Sequence, residues 1–238
     1  MDELRDDDGD LIFDQPGSFE CDLSMQKPLD SFVVNTDYFS RTYGHGYGNM
    51  EVIGHLGAQR PASGCASGDL SYHCDARALD IAWVQWSGNV ASRPCNAAGE
   101  VGRSLTRHRR LVAVEAGLRK WFGYVVNRNI DRHHNHFHVD NGCPVALRLK
   151  TSSTGTTYTT CHYFLQDCIV AFTDFTDKEV PYDGDWGPKS KKGYKTLLSD
   201  LGMECLSPHK CINHYMLFLD YIMMHGFADK PAGTFRWG

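Results

Sequence analysis

The sequence has no excess of positive charge: over 238 residues, 24 Lys and Arg stand against 29 Asp and Glu, a formal net charge of −5. The whole of that excess lies in residues 1–10, where Asp2, Glu3, Asp6, Asp7, Asp8 and Asp10 face only Arg5, so residues 11–238 sum to zero. A neutral body offers no basic face from which counterions could be released, which argues against a protein that works by neutralising phosphates, and no nucleic acid partner is expected. Long apolar runs are missing too. The nearest to the roughly 18–20 residues that cross a bilayer lies around Met216–Met224 and is broken by Asp220, with His225 and Gly226 following. No membrane span is expected. No internal repeat is visible, and none of the nine cysteines forms a C-x-x-C pair, which removes the usual thiolate zinc site and redox motif. Nine cysteines without that motif point instead to disulfides in an oxidising, extracellular compartment, with at least one thiol left over. The acidic N-terminus lacks a basic, apolar-cored signal peptide, so a secreted chain would have lost its leader or would use another route.

What is present is an ordinary globular composition, 42% apolar and 22% charged, too rich in core-forming residues for disorder. The run 151-TSSTGTTYTT-160 is almost entirely small or hydroxyl residues and reads as a linker. The expected organisation is therefore an acidic extension over 1–29, a first domain over 30–150, the linker over 151–160 and a second domain over 161–238. In the first, 79-LDIAWVQW-86 reads as a strand, and Leu111, Val114, Leu118 and Trp121 share helical spacing in a helix over 105–122 closed by Gly123. The run 136-HFHVD-140 alternates and precedes Asn141-Gly142, which predicts a strand ending in a turn. In the second, helices are expected near 161–172, from Pro188 to Gly202 and from Pro208 to Gly226, forming a small bundle. The fold class expected overall is α+β, a small mostly antiparallel sheet with flanking helices followed by a small three-helix domain.

Histidine clustering carries the chemistry. Four of the twelve histidines fall within 133-HHNHFH-138, and a second ligand-rich run is 71-SYHCDARALD-80. In an extended 136–138, His136 and His138 project from one face about 7 Å apart. The six residues between His73 and Asp80 let a loop double back, so that an imidazole and a carboxylate converge at the start of a strand. Two imidazoles and a carboxylate with an open fourth position are what a catalytic zinc needs. His73, Asp80 and His138 are the expected ligands, set against the alternatives of surface histidines or a tract that binds metal adventitiously. Cys74, beside His73, is expected to point away from the metal into a disulfide or into packing.

The pattern Ser71-x-His73-x-x-Ala76-x-Ala78-x-Asp80 resembles the first zinc motif of the D-Ala-D-Ala carboxypeptidase and murein endopeptidase group, and His136-x-His138 resembles its second. The runs 77-RALDIA-82, 111-LVAVEAGLRKWFGYV-125 and 133-HHNHFHVD-140 are similar to the extensin-like branch of that group. The resemblance covers roughly residues 55–142. It implies a small mixed sheet carrying one zinc on His73, Asp80 and His138, and hydrolysis of peptide bonds in peptidoglycan. Members with a carboxylate base carry Asp or Glu three positions before the last ligand, where this chain has Asn135; the His-x-x-His-x-His form of the murein endopeptidases is present as His133, His136 and His138. His133 is accordingly the candidate general base, with His134 the second choice, and His136 the residue orienting the water or stabilising the oxyanion. Arg60 occupies a place where related enzymes grip the substrate carboxylate or carbonyl.

In the second segment, 182-YDGDWGPKSKKGYKTLLSDLG-202 resembles the core motif of small three-helix peptidoglycan-binding domains, with Ser190 in the place of a threonine. Trp186 is expected in the core, and Asp183 and Asp185 in a turn that lacks the further oxygen ligands of a calcium loop. The resemblances together imply a secreted zinc peptidase acting on peptidoglycan; the alternative is a non-catalytic zinc-containing cell-wall-binding protein.

Overall fold

The computed structural model describes residues 4–5, 11–12, 22–58, 72–88, 90–92, 104–127, 129–130, 133–141 and 156–234. In chain order the elements are β1 (Leu4–Arg5), β2 (Leu11–Ile12), α1 (Leu23–Tyr43), β3 (Met50–Gly57), β4 (Ala78–Trp86), β5 (Val90–Ser92), α2 (Leu105–Trp121), β6 (Tyr124–Val126), β7 (Phe137–Asp140), α3 (Thr156–Phe172), α4 (Pro188–Asp200) and α5 (Ile212–Phe227). The fold is α+β, with five helices among the described residues. β1 and β2 pair with each other, and the main sheet is antiparallel in the order β3-β4-β7-β6, with β5 also on β4. β3 takes one edge of β4; β7 pairs with Ala78–Ile81 and β5 with Val84–Trp86, so these two share the other edge.

The unbroken apolar character of β4 has a structural cause. Leu79, Ile81, Val84 and Trp86 all belong to the core, a spacing of two, three and two. Strict alternation would send Val84 to the opposite face from Ile81. The register against β3 slips between Gly54/Trp83 and His55/Ile81, and this bulge at Ala82 resets the alternation so that one face stays apolar past the slip. Before the bulge, Leu79 and Ile81 face the helices together with their β7 partners Val139 and Phe137. Asp80 and His138 lie directly opposite one another on the other face.

Helix α2 is the centre of the molecule. Leu111–Arg119 are buried without interruption, because α1, α3 and α5 all pack against it and α5 does so most extensively. Two glycines allow the close crossings. A Cβ on Gly117 would come within 2.7 Å of Thr36 Oγ1 on α1, and one on Gly226 of α5 within 2.6 Å of both Ala113 Cβ and the Arg109 carbonyl oxygen. The aromatic group Tyr47, Trp86 and Phe227 joins the sheet to α5, with ring centroids 5.1–5.8 Å apart.

These contacts join the two expected segments in one core. A single core cluster runs from Met25 to Phe227, so the helices of the second segment pack on the first segment as well as on one another. From Thr156 onward, the stretch read as a linker is α3. Thr160 is buried there, and its carbonyl accepts from Arg119 Nη2 at 2.9 Å. The last helix begins at Ile212 instead of Pro208, with Cys211 as its N-cap. Helix α1, inside which Pro28 lies, was not expected from the pattern. The cysteines of the second segment, Cys161, Cys168, Cys205 and Cys211, are free thiols, against the expectation of disulfides; Cys161 and Cys168 are core side chains of α3. Cys74 is disulfide-bonded.

Candidate metal centre

A turn, a strand and a second strand build the site. Over 72–77, Arg77 N donates to the Tyr72 carbonyl at 2.9 Å and Ala76 N to the His73 carbonyl at 3.3 Å, with Ala76 in the left-handed region at φ 54°. This reversal returns His73 to the start of β4, where Asp80 follows. Cross-strand pairing then places His138 opposite Asp80, and directly paired residues have Cβ atoms about 4.5–5.5 Å apart on one face. The turn is anchored to α1: Asp22 N donates to the Ala76 carbonyl at 2.9 Å, and the Asp22 carboxylate accepts from Ser24 N as the helix N-cap.

Three atoms form a nearly equilateral triangle. His73 Nε2 lies 3.1 Å from His138 Nδ1 and 3.2 Å from Asp80 Oδ1, and His138 Nδ1 lies 3.0 Å from Asp80 Oδ1. A tetrahedral ion with bonds of about 2.0–2.1 Å holds its ligand atoms ~3.3 Å apart, close to these separations. The other nitrogen of each imidazole is already engaged. His73 Nδ1 donates to the Ala58 carbonyl at 3.1 Å, and His138 Nε2 to Asp140 Oδ2 at 3.3 Å. These outer bonds leave His73 Nε2 and, in neutral His138, Nδ1 as lone-pair atoms facing Asp80 Oδ1, the arrangement that metal-ligating histidines adopt. His73, Asp80 and His138 are the group among the described residues whose ligand atoms lie mutually within 4.8 Å. They could hold a metal ion, and their N2O donor set suits zinc.

Charge within the triangle is balanced by a proton when no metal is present. Burial disfavours the His138 cation, but Asp140 and Asp80 outweigh it and raise its pKa to about 9. Burial also opposes ionisation of Asp80, yet hydrogen bonds from His138 and His73 hold its carboxyl below the ordinary carboxylate range. The His138 Nδ1 proton thus occupies the ground that a cation would take.

His136 stands beside the triangle, outside the group. Its Nε2 lies 3.6 Å from Asp80 Oδ1, and its Nδ1 donates to Asn135 Oδ1 at 2.8 Å. Burial lowers its pKa to about 4, which keeps the ring neutral at pH 7. Asn135 thereby fixes the His136 tautomer, with the Nε2 lone pair toward the centre. His133 joins the same cluster, its ring centroid 5.0 Å from that of His136 and 6.0 Å from that of His138. His134 follows in the turn at 134–135, with no contact to the triangle among those described. Arg60 lies outside the described residues.

Sequence reading missed two contributors. The Ala58 carbonyl carries no side-chain signal. Asp140 does, because two residues beyond His138 on a strand means the same face.

The 182–190 turn is built for packing. Buried Gln166 of α3 donates from Nε2 to Asp183 Oδ1 at 2.8 Å and to the Asp185 carbonyl at 3.0 Å, while its Oε1 accepts from Gly184 N at 3.0 Å. Gly184 has φ +69°, and a Cβ there would meet Thr159 Cγ2 at 2.7 Å. Trp186 is half-buried against the core and stacks on His162, centroids 5.5 Å apart.

In comparisons with known proteins, no family model, no curated protein and no solved structure matches the chain.

Proposed function

We propose that the protein is a secreted, zinc-dependent peptidoglycan peptidase that hydrolyses an amide bond in wall stem peptides or cross-links. The observation that carries the reading is the convergence of His73 Nε2, Asp80 Oδ1 and His138 Nδ1 at 3.0–3.2 Å with the outer imidazole nitrogens tied to Ala58 and Asp140. Its support in the sequence is the pair of motifs, His73 to Asp80 and His136 to His138, which resemble those of the carboxypeptidase and endopeptidase group.

Zinc, when bound, supplies Lewis acidity toward a carbonyl and brings the pKa of its water near neutrality. The protein's own groups do the rest. Three ligands leave one side open. His136, held by Asn135, turns Nε2 toward that region and orients the attacking water or steadies developing negative charge. His133 is the proton acceptor, the role that a carboxylate at position 135 would otherwise fill. Arg60 is the candidate for gripping a substrate carboxylate or carbonyl.

Purified protein incubated with peptidoglycan tests the reading. Expected are about one zinc per chain and release of stem-peptide fragments that stops with a chelator and returns with zinc. His133→Ala should keep its zinc and lose turnover, whereas His138→Ala should lose most of the zinc. Absence of zinc-dependent release, with the protein sedimenting along with the wall, would instead establish the second reading, a non-catalytic zinc-containing wall-binding protein. Asn135 is the observation that favours it, since an amide cannot take a proton from water.

A further inference from the structure

The segment 127–136 leads from the end of β6 to the start of β7 and brings His133 and His136 to the metal centre. Its backbone bonds form a relay. Ile130 N donates to the Asn127 carbonyl at 3.1 Å, His133 N to the Ile130 carbonyl at 3.0 Å and His136 N to the His133 carbonyl at 3.4 Å. Each of these residues takes its position from the one before, so the rings stand where the start of the relay puts them.

Two buried carboxylates hold that start. Glu115 Oε1 of α2 accepts from Asn127 Nδ2 at 3.1 Å, and Asn127 Oδ1 in turn accepts from Asn129 N at 3.3 Å. Asp167 of α3 takes the next side chain, its Oδ2 accepting from Asn129 Nδ2 at 3.0 Å. The other oxygen of Asp167, Oδ1, accepts from His108 Nε2 of α2 at 3.1 Å. The His108 and Asp167 side chains are 2% and 0% exposed.

Stability alone gives little reason for this arrangement. A buried carboxylate has to recover its lost hydration, and well-packed apolar side chains in the same place are often as stable or more so. What the carboxylate supplies is direction. With Oδ1 engaged by a ring from α2, Oδ2 is aimed at the amide of a half-buried residue outside both helices. Helices α2 and α3 pack on each other in the core, so Asn129 is referred to the most rigid part of the molecule.

We propose that Asp167, oriented by His108 and acting through Asn129, is a positioning residue of the metal centre, which sets how far the 127–136 segment descends and so where the His133 and His136 rings stand beside the triangle. The second segment then belongs to the site itself, since α3 supplies the carboxylate. The role of His133 as proton acceptor rests on the peptidase reading; its placement by Asn129 does not.

The test uses the full-length protein with isotope-labelled histidine, zinc-loaded and metal-free, and the variants Asn129→Ala and Asp167→Asn. In both variants the ring-proton NMR signals of His133 and His136 should shift or split, while those of His73 and His138, the zinc content and the melting curve of Asn129→Ala stay as in the parent. On peptidoglycan, Asn129→Ala should lower kcat by about 10- to 100-fold with little change in KM. Added to His133→Ala, it should cost far less, because part of what it positions is already gone. Asn129 lies outside the core, so this variant decides the matter even if Asp167→Asn does not fold. The inference is overturned if Asn129→Ala leaves the His133 and His136 signals unmoved, if all four rings move together with a lowered melting curve, or if its loss multiplies in full with that of His133→Ala. Unmoved rings in a protein that releases stem peptides would remove this inference and leave the peptidase reading; moved rings in a protein that releases none would do the opposite.

Discussion

Asp140 never touches the triangle of ligand atoms, yet it decides which nitrogen of His138 faces inward. Loss of such an outer partner typically costs about 10- to 100-fold in metal affinity. Asp140→Asn is expected to weaken zinc by that much, read by competition with a chromophoric chelator, with a smaller loss than His138→Ala. The proton on His138 yields a second expectation. With its pKa raised to about 9, the metal-free ring is charged at pH 7, so zinc must displace a proton to bind. Apparent affinity should therefore climb about tenfold per pH unit up to about pH 9, and calorimetry in buffers of different ionisation enthalpy should count about one proton released per zinc at pH 7. In the metal-free protein the sign runs the other way. The His138 pairing contributes stability fully present below its unfolded pKa of ~6.5 and lost as pH rises through about 9. The ligands themselves were legible because their spacing is local chemistry written on a turn and two strands. Asp140 was legible in principle, since it lies two residues beyond His138 on the same face of β7, whereas the Ala58 carbonyl on His73 carries no side-chain signal.

At the level of elements, the strands and helices with clean signals fall where periodicity puts them: β4, α2, β7 and α4 agree with the sequence within about two residues. The departures share one cause, which is partners distant in the chain. The hydroxyl-rich residues from Thr156 to Thr160 are helical, with the Thr160 carbonyl against the buried pair Glu115–Arg119, whose Nη2–Oε1 separation is 2.7 Å. Asn127 donates to the same Glu115 carboxylate at 3.1 Å, and Arg119 also lies over the Phe164 ring at 4.8 Å. This polar seam fastens α3 to α2. Removal of one partner of a buried pair commonly costs about 3–5 kcal/mol, because the other charge stays behind without compensation. Glu115→Ala is expected to fall in that range by urea denaturation while zinc content stays unchanged, which would separate the seam from the metal centre. Helix α1 eluded the pattern for another reason. Pro28 normally ends a helix, but it sits six residues from the N-terminus, where the Asp22 cap and the burial of Met25, Phe32, Thr36 and Phe39 along one face hold the chain helical on both sides of it.

Across the whole molecule, the two segments share one core, and this determines how the protein should come apart. Tyr215, Phe218, Leu219 and Phe227 on α5 are buried together with Leu111, Val114 and Leu118 on α2, so each segment covers apolar surface of the other. Unfolding should be a single cooperative transition by both circular dichroism and tryptophan fluorescence. A chain ended at residue 150 should show no cooperative melt and a poorly dispersed NMR spectrum, whereas a free-standing first domain would melt normally. A separate tether was the natural reading of a small-residue stretch between two segments of different character. Composition does not report that the apolar face of one segment is completed by the other.

The lateness of α5 in the chain has a consequence for the time course of synthesis. The face of α2 that crosses Gly226 at Ala113 is translated about 113 residues before its cover, which at ~5–20 residues per second is roughly 6–23 s. During that interval the strip around Ala113 has no native neighbour and is available to whatever apolar surface is nearby. The native crossing at Gly226 can form only once α5 has been made, so until then that strip of α2 is open to premature apolar contacts.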